Sequence, residues 1–138
     1  MQEQYLKHLT DEKCDIFGKM FQISAAKFHY DSLDFIYQIM TTNNPEYIDM
    51  IMVDERTEWC DEYFLIAVLR DFCKFKEGSV LDTFVLWFIG YTYKYWMRTR
   101  NMKPNEVYTI LPVEVFLERF EFYHTQDWEY IVQDAMCQ

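Results

Sequence analysis

The stretch FYHTQDWEYIVQD, residues 122–134, holds side chains of the kinds that catalyse reactions, including a histidine, a threonine and several carboxylates. His124 could serve as a general base if a nucleophile and an orienting acid stood beside it. The sequence places no Ser or Cys nucleophile there, and it contains neither a GxSxG motif nor a cysteine-centred catalytic signature. An enzyme that uses His124 is therefore one hypothesis, but it lacks a partner group.

The same stretch also has the spacing of a helix that runs from about residue 126 to 136. Thr125 stands directly before the apolar positions of this helix and is predicted to be its N-cap, with acids in the first turn favoured by the helix dipole. We expect the apolar face to pack against a central helix at 80–99. That face consists of Trp128, Ile131, Val132, Ala135 and Met136.

Helical spacing recurs along the rest of the chain and predicts an all-α fold. Only three Gly and three Pro occur among the 138 residues, so the tight turns that a sheet needs are scarce. The sequence predicts a compact bundle of about seven helices around a central aromatic helix at 80–99, which is apolar almost all round. One further helix is predicted from Glu58 to Phe75, with a stripe formed by Phe64, Ala67, Val68, Phe72 and Phe75.

Several polar residues are predicted to start helices. Asp31 is expected to cap one helix, and Asn44 before Pro45 is expected to cap the next. Ser79 with Asp82 has the spacing of a capping box. Gly90 lies inside the central helix, where it predicts a close approach by another backbone.

The chain length fits one domain, 1–138. Segments 15–21, 35–40 and 62–71 each align with a later segment of the chain, at an offset of 66 to 71 residues. This pattern suggests two diverged helical repeats with halves 1–77 and 79–138. Amphipathic helices match one another easily, so independent helices are the alternative.

Composition disfavours several classes of function. The net charge of −10 opposes direct binding to nucleic acid or to an anionic membrane, and favours a basic protein partner or simple solubility. The most apolar run is ten residues, too short to span a membrane. His8, His29, His124 and the scattered cysteines have no zinc-type spacing, so no metal or other cofactor is expected. Reduced cysteines and the polar N-terminal sequence predict a cytoplasmic location.

The most unusual feature expected at the surface is an acidic stretch at 46–62. It contains seven acids and one cation, Arg56, which gives a local charge of −6. Aromatic residues interleave with the acids, as at many protein interfaces. A solvated face is the plainer interpretation. The candidate partner-binding residues are Glu46, Asp49, Asp54, Glu55, Glu58, Trp59, Asp61 and Glu62.

A basic stretch, 94–103, carries four cations and no acid: Lys94, Arg98, Arg100 and Lys103. Aromatic neighbours would allow contacts with single-stranded nucleic acid, but the acidity of the chain opposes this. The cations are better placed at the C-terminus of the central helix. Pairing with the acidic stretch of a second copy would give a homodimer.

Residues 82–136 resemble a small bacterial family catalogued as domain of unknown function 3791. That family reads as a helix, then xxEVYxLL, then YDxLHTxxxxYIxxDI. The matching residues are Glu106, Val107, Tyr108, Leu111, His124, Thr125, Tyr130, Ile131 and Asp134. Phe122 and Tyr123, directly before His124, depart from the pattern. Ala135 also departs from it, since Ile is typical at that position. The resemblance implies a small non-enzymatic companion, in some cases encoded beside ADP-ribosyltransferase-like proteins of toxin type.

The sequence thus favours a non-enzymatic acidic protein that binds and neutralises or regulates a basic partner, as an antitoxin, immunity protein or inhibitor does. The expected partner is an ADP-ribosyltransferase-like protein or a nuclease. The alternatives are a mimic of nucleic acid that inhibits a defence nuclease, and an enzyme that uses His124.

Overall fold

Helices provide the regular structure of the protein, as the sequence predicts. A computed structural model describes residues 2–52 and 61–138. Within these ranges there are nine helices and no strand beyond an isolated antiparallel bridge between Tyr30 and Glu77. The helices are α1 (Gln2–Ala26), α2 (Ser32–Thr41), α3 (Pro45–Met52), α4 (Glu62–Leu69), α5 (Thr83–Arg100), α6 (Pro104–Ile110), α7 (Val113–Glu118), α8 (Phe120–Tyr123) and α9 (Trp128–Met136).

Two of the predicted helix starts are confirmed. The Asp31 carboxylate accepts a hydrogen bond from the backbone N of Asp34 at 3.0 Å, which caps α2. Asn44 Oδ1 accepts from the backbone N of Glu46 at 2.9 Å and of Tyr47 at 3.2 Å, so that it caps α3. Each cap satisfies donors that have no partner within the first helical turn.

The predicted capping box of Ser79 and Asp82 is wrong. Asp82 itself is the N-cap of α5, and its carboxylate accepts from the backbone N of Phe84 at 2.9 Å. Ser79 lies in the extended link before the helix, where its backbone N donates to Asp31 Oδ1 at 3.1 Å. Serine and aspartate are both good N-caps. The hydrogen bond to Asp31 holds Ser79 at a distance from the start of α5, so Asp82 is the cap.

The apolar stripe predicted for residues 64–75 is also wrong. Helix α4 ends at Leu69, so Phe72 and Phe75 do not share its spacing, and Phe64 is 55% exposed. The buried residues of α4 are Leu65, Ile66 and Leu69. Residues 58–60 of the predicted helix lie outside the described residues.

Helix α5 is the centre of the core, as predicted, although it begins at Thr83 and ends at Arg100. Ten of its residues are buried, which requires neighbours on several sides. Helix α1 runs antiparallel along it and makes the most extensive helix–helix contact among the described elements. No described helix combines the length and apolarity that crossing a membrane would require.

Two glycines allow α1 and α5 to lie very close together. A Cβ added at Gly90 would lie 3.0 Å from Gly18 Cα and 2.9 Å from the Phe21 ring. A Cβ added at Gly18 would lie 2.7 Å from both the carbonyl oxygen and the ring of Trp87. The close backbone approach predicted at Gly90 is therefore confirmed, and Gly18 is its counterpart on α1.

Hydrogen bonds flank this crossing on both sides. Trp87 Nε1 donates to Asp15 Oδ1 at 2.9 Å, and the Tyr91 hydroxyl donates to Asp11 Oδ1 at 3.1 Å. At the other end, Gln22 Nε2 donates to the Thr83 carbonyl at 3.1 Å. These polar contacts align the two helices and set their register.

We predict that Gly18→Ala lowers the free energy of unfolding by about 1–2 kcal/mol. Alanine has the better helix propensity by about 1 kcal/mol, but its Cβ would press on the Trp87 backbone, which cannot move aside as a side chain can. Urea unfolding followed by circular dichroism measures the difference. If Gly18→Ala instead raised the free energy of unfolding, the space between α1 and α5 would accommodate the added Cβ, and the prediction would be wrong.

Candidate functional site

The catalytic-looking stretch 122–134 forms the junction between α8 and α9. Asp127, and not Thr125, caps α9, since its carboxylate accepts from the backbone N of Tyr130 at 2.8 Å. The predicted cap at Thr125 is therefore wrong. Thr125 Oγ1 instead donates to the Phe122 carbonyl at 2.7 Å and closes the end of α8. Two capping residue types stand two positions apart here, and the turn after α8 uses the first of them.

His124 is exposed and packs on its own helix. Its Nδ1 lies 2.9 Å from the Phe120 carbonyl oxygen, and its ring stacks on the Phe120 ring at 5.2 Å between centroids. The carbonyl can orient the imidazole, but neither contact supplies a nucleophile or a second titratable group. These contacts give His124 a structural role at the end of α8.

The last acid of the stretch, Asp134, joins α8 to α9. The buried Tyr123 donates its hydroxyl proton to Asp134 Oδ2 at 2.6 Å, and Arg119 Nη1 donates to the same hydroxyl at 3.1 Å. Burial and the hydrogen bond to Asp134 raise the pKa of Tyr123 above its ordinary value. The phenol therefore stays protonated and acts as a hydrogen-bond donor between the two helices.

Trp128 packs against α5, as predicted. Its ring stacks on Tyr91 with centroids 4.1 Å apart and also contacts Phe88 and Trp87. The neighbouring Glu129 pairs with Arg100. Its carboxylate also accepts from the Tyr95 hydroxyl at 2.7 Å. Hydrogen bonds from Arg100 and then Tyr95 hold the pKa of Glu129 down at about 2.

The predicted basic stretch is not one continuous surface. Arg98 and Arg100 lie in the last turn of α5, as expected for cations at a helix C-terminus. Lys103 starts α6, where its backbone N donates to Glu106 Oε1 at 2.9 Å. Lys94 is only 5% exposed and precedes the last turn of α5, so its predicted place among the cations at the helix C-terminus is wrong.

Lys94 instead connects two helices inside the core. Its Nζ donates to the Ile51 carbonyl at 2.7 Å, in the last turn of α3, where the helix dipole favours a cation. The ammonium also lies 5.5 Å from the centre of the Phe17 ring. Burial lowers the pKa of Lys94 to about 8, and it raises the pKa of the neighbouring Cys14 thiol to about 12.

The described acids of the stretch 46–62 have different surroundings. Glu46 and Asp49 are exposed on α3. Asp61 caps α4 by accepting from the backbone N of Phe64 at 2.9 Å, and Glu62 is partly exposed in the first turn. The other candidate residues, Asp54, Glu55, Glu58 and Trp59, lie outside the described residues. A partner-binding role for the set stays a prediction.

A cleft of about 470 Å³ opens beside the exposed face of α3. We call it the α3–α6 cleft. Asn101 has a left-handed backbone with φ of 50° at the end of α5, and so turns the chain toward α6. One wall comes from α3 and the residues just before it, and the other comes from the α5–α6 link and the first turn of α6. The lining residues are Asn43, Pro45, Ile48, Asp49 and Met52 on the first wall and Asn101, Lys103 and Glu106 on the second.

Sequence reasoning missed this cleft, although one signal for it was present. Pro45, Ile48, Asp49 and Met52 follow the spacing of a second helical face, beside the buried face of Tyr47 and Ile51. The opposite wall comes from a distant segment, which the spacing within α3 does not reveal.

Comparisons with known proteins add no relative, because no family model, curated protein or solved structure matches the chain. The resemblance of 82–136 to domain of unknown function 3791 therefore stays a prediction. Among the described residues, no group of three or more His, Cys, Asp or Glu side chains has an arrangement that could hold a metal ion.

We predict that the junction variants separate core packing from capping. Trp128→Ala should lower the free energy of unfolding by about 3 kcal/mol, because it removes a large ring from the face of α5. Asp127→Ala should cost about 1 kcal/mol as a lost cap, and Thr125→Ala less. Thermal melts of the three variants test this order. A larger loss for Thr125→Ala than for Asp127→Ala would contradict the assigned cap.

A second prediction concerns pH and Lys94. Its pKa of about 8 lies below the ordinary 10.5, so between these values the unfolded chain holds a proton that the folded chain has released. Stability conferred by this group therefore rises with pH in that window. From pH 7.5 to 9.5, the wild type should gain on the order of 1–3 kcal/mol relative to Lys94→Met.

Urea unfolding of both proteins at the two pH values measures this relative gain. The raised pKa of Cys14 acts in the opposite direction, but the thiol is present in both proteins and largely cancels in the comparison. Parallel pH profiles would contradict the lowered pKa of Lys94 in the folded protein.

Proposed function

We propose that this protein is a non-enzymatic interaction protein of the cytoplasm that binds a protein with a basic surface and neutralises or regulates it. The observation that carries the proposal is the outer face of α3. There, the exposed carboxylates of Glu46 and Asp49 stand beside apolar residues and an open cleft. Apolar surface bordered by charge is the usual composition of a protein interface.

The overall charge supports a basic partner over other ligands. At −10, the chain attracts cationic surfaces and accelerates their encounter, whereas it repels the phosphates of nucleic acids and anionic lipids. Among the described acids of the stretch, Glu46 and Asp49 lie exposed on α3. An ADP-ribosyltransferase-like protein or a nuclease fits this chemistry when its binding surface is basic.

The surroundings of residues 122–134 support a role other than catalysis. His124 packs on Phe120, Asp127 caps α9 and Asp134 accepts from Tyr123. Each of these groups has a contact that contributes to the α8–α9 junction, and a structural role accounts for all three.

Mimicry of nucleic acid by the acidic stretch is the alternative, and it has less support. Mimicry needs carboxylates on one exposed face at roughly the spacing of phosphates. The Asp61 carboxylate keeps its charge, but one of its oxygens is directed at the backbone N of Phe64 as the cap of α4. Among the described acids, Glu46 and Asp49 are the exposed pair on α3, and two carboxylates are too few to imitate a strand.

We predict that the double variant Glu46→Gln/Asp49→Asn binds its partner about tenfold more weakly, which corresponds to about 1.4 kcal/mol. The matched control is Glu118→Gln/Glu121→Gln, which removes the same two charges from exposed positions elsewhere. Co-expression with tagged products of neighbouring genes identifies the partner, and calorimetry then compares the three proteins.

The control variant should bind as the wild type does. Equal weakening of both variants would assign the effect to overall charge and not to α3. If wild-type protein binds none of the neighbouring products, the proposal fails.

A further inference from the structure

The α3–α6 cleft has one wall suited to an aliphatic stem. Pro45, Ile48 and Met52 lie on the same side of α3, and Ile48 and Met52 are half-buried against the core. A flexible chain of methylenes can cover such a surface while it keeps a charged end in water. The thioether of Met52 adapts readily to the shape of what it contacts.

The charges in the cleft favour a cation. Asp49 is exposed between Ile48 and Met52, and Glu106 faces it from the other wall. Glu106 uses Oε1 to accept from the Lys103 backbone N. Within the described residues, the Lys103 ammonium forms no ion pair with either carboxylate. Two carboxylates against one ammonium give the cleft a net negative charge.

We propose that the α3–α6 cleft receives an arginine side chain of the protein partner, with its stem on Ile48 and Met52 and its guanidinium on Asp49. Arginine fits better than lysine because its planar guanidinium pairs with a carboxylate through two parallel hydrogen bonds and is more weakly hydrated. The volume of about 470 Å³ lies within the range of about 300–1,000 Å³ for sites that enclose small ligands.

This inference rests on the proposed function and names its point of contact. An arginine from a basic surface would form a central anchor, with Glu46 at the rim steering the approach. Arginine is among the residues that contribute most to binding when they are buried at the centre of an interface.

Nuclear magnetic resonance of the full-length, nitrogen-15-labelled chain tests the cleft directly. The probe is acetyl-arginine methylamide, and the uncharged control is acetyl-norleucine methylamide. We expect the arginine probe to shift the amide resonances of Ile48, Asp49 and Asn101 with millimolar affinity, and the norleucine probe to shift them at least threefold less at equal concentration.

The variant Asp49→Asn should weaken arginine binding at least threefold, while the matched change Asp71→Asn, at an exposed position outside the cleft, should leave it unchanged. Equal responses to both probes, or unchanged binding by Asp49→Asn, would overturn the assignment. Stronger binding of acetyl-lysine methylamide would overturn the choice of arginine.

The partner assay distinguishes this inference from the proposed function. If wild type and Asp49→Asn capture the partner equally well, the cleft assignment fails and the proposed function stands. If the arginine probe binds in the cleft but no neighbouring gene product is captured, the proposed function fails.

Discussion

The close crossing of α1 and α5 at Gly18 and Gly90 is the constraint on which the rest of the structure depends. Because hydrogen atoms occupy the positions where side chains would collide, the two backbones approach closely enough for Trp87 to donate to Asp15. Helix α1 covers only one side of α5, so other helices must cover the remaining apolar faces of α5. Trp128 covers one of them, and the Tyr93 hydroxyl reaches the Leu111 carbonyl at 2.7 Å on another.

The same central helix also determines which side of α3 faces outward. Lys94 donates from the middle of α5 to the Ile51 carbonyl, and Tyr47 is buried with its hydroxyl 2.5 Å from the Ile39 carbonyl oxygen. With these two contacts inside, Asp49 is left at the surface beside the cleft. A buried ammonium at a helix C-terminus is stabilised by the dipole, which offsets part of the desolvation that lowers its pKa.

Local spacing predicted the all-α class, most of the α9 face and the glycine contact, because each depends on residues within a few turns of one helix. Met136, the last residue of the predicted α9 face, is 45% exposed. Local spacing placed Lys94 wrongly, because a lysine close to other cations in the sequence is expected at the surface. The carbonyl that accepts its hydrogen bond lies 43 positions away, so local spacing does not reveal the contact. Local spacing also chose Thr125 over Asp127, where both residue types cap well. The cleft was missed because its walls come from two segments that are distant in sequence, α3 and the stretch from the end of α5 into α6.

The antiparallel pairing of α1 with α5 has a consequence for how the chain folds as it is made. Small helical proteins usually fold fast because their contacts are local, but Asp15 and Trp87 lie 72 positions apart. At the usual rates of synthesis, roughly 4–14 s pass between the appearance of these two residues at the ribosome. During that interval α1 lacks the helix with which it makes its most extensive contact, although α2 can already cover Phe21 through Phe35. The face of α1 that packs on α5 is therefore a binding surface for chaperones, and a chain whose translation stalls before α5 becomes prone to aggregation.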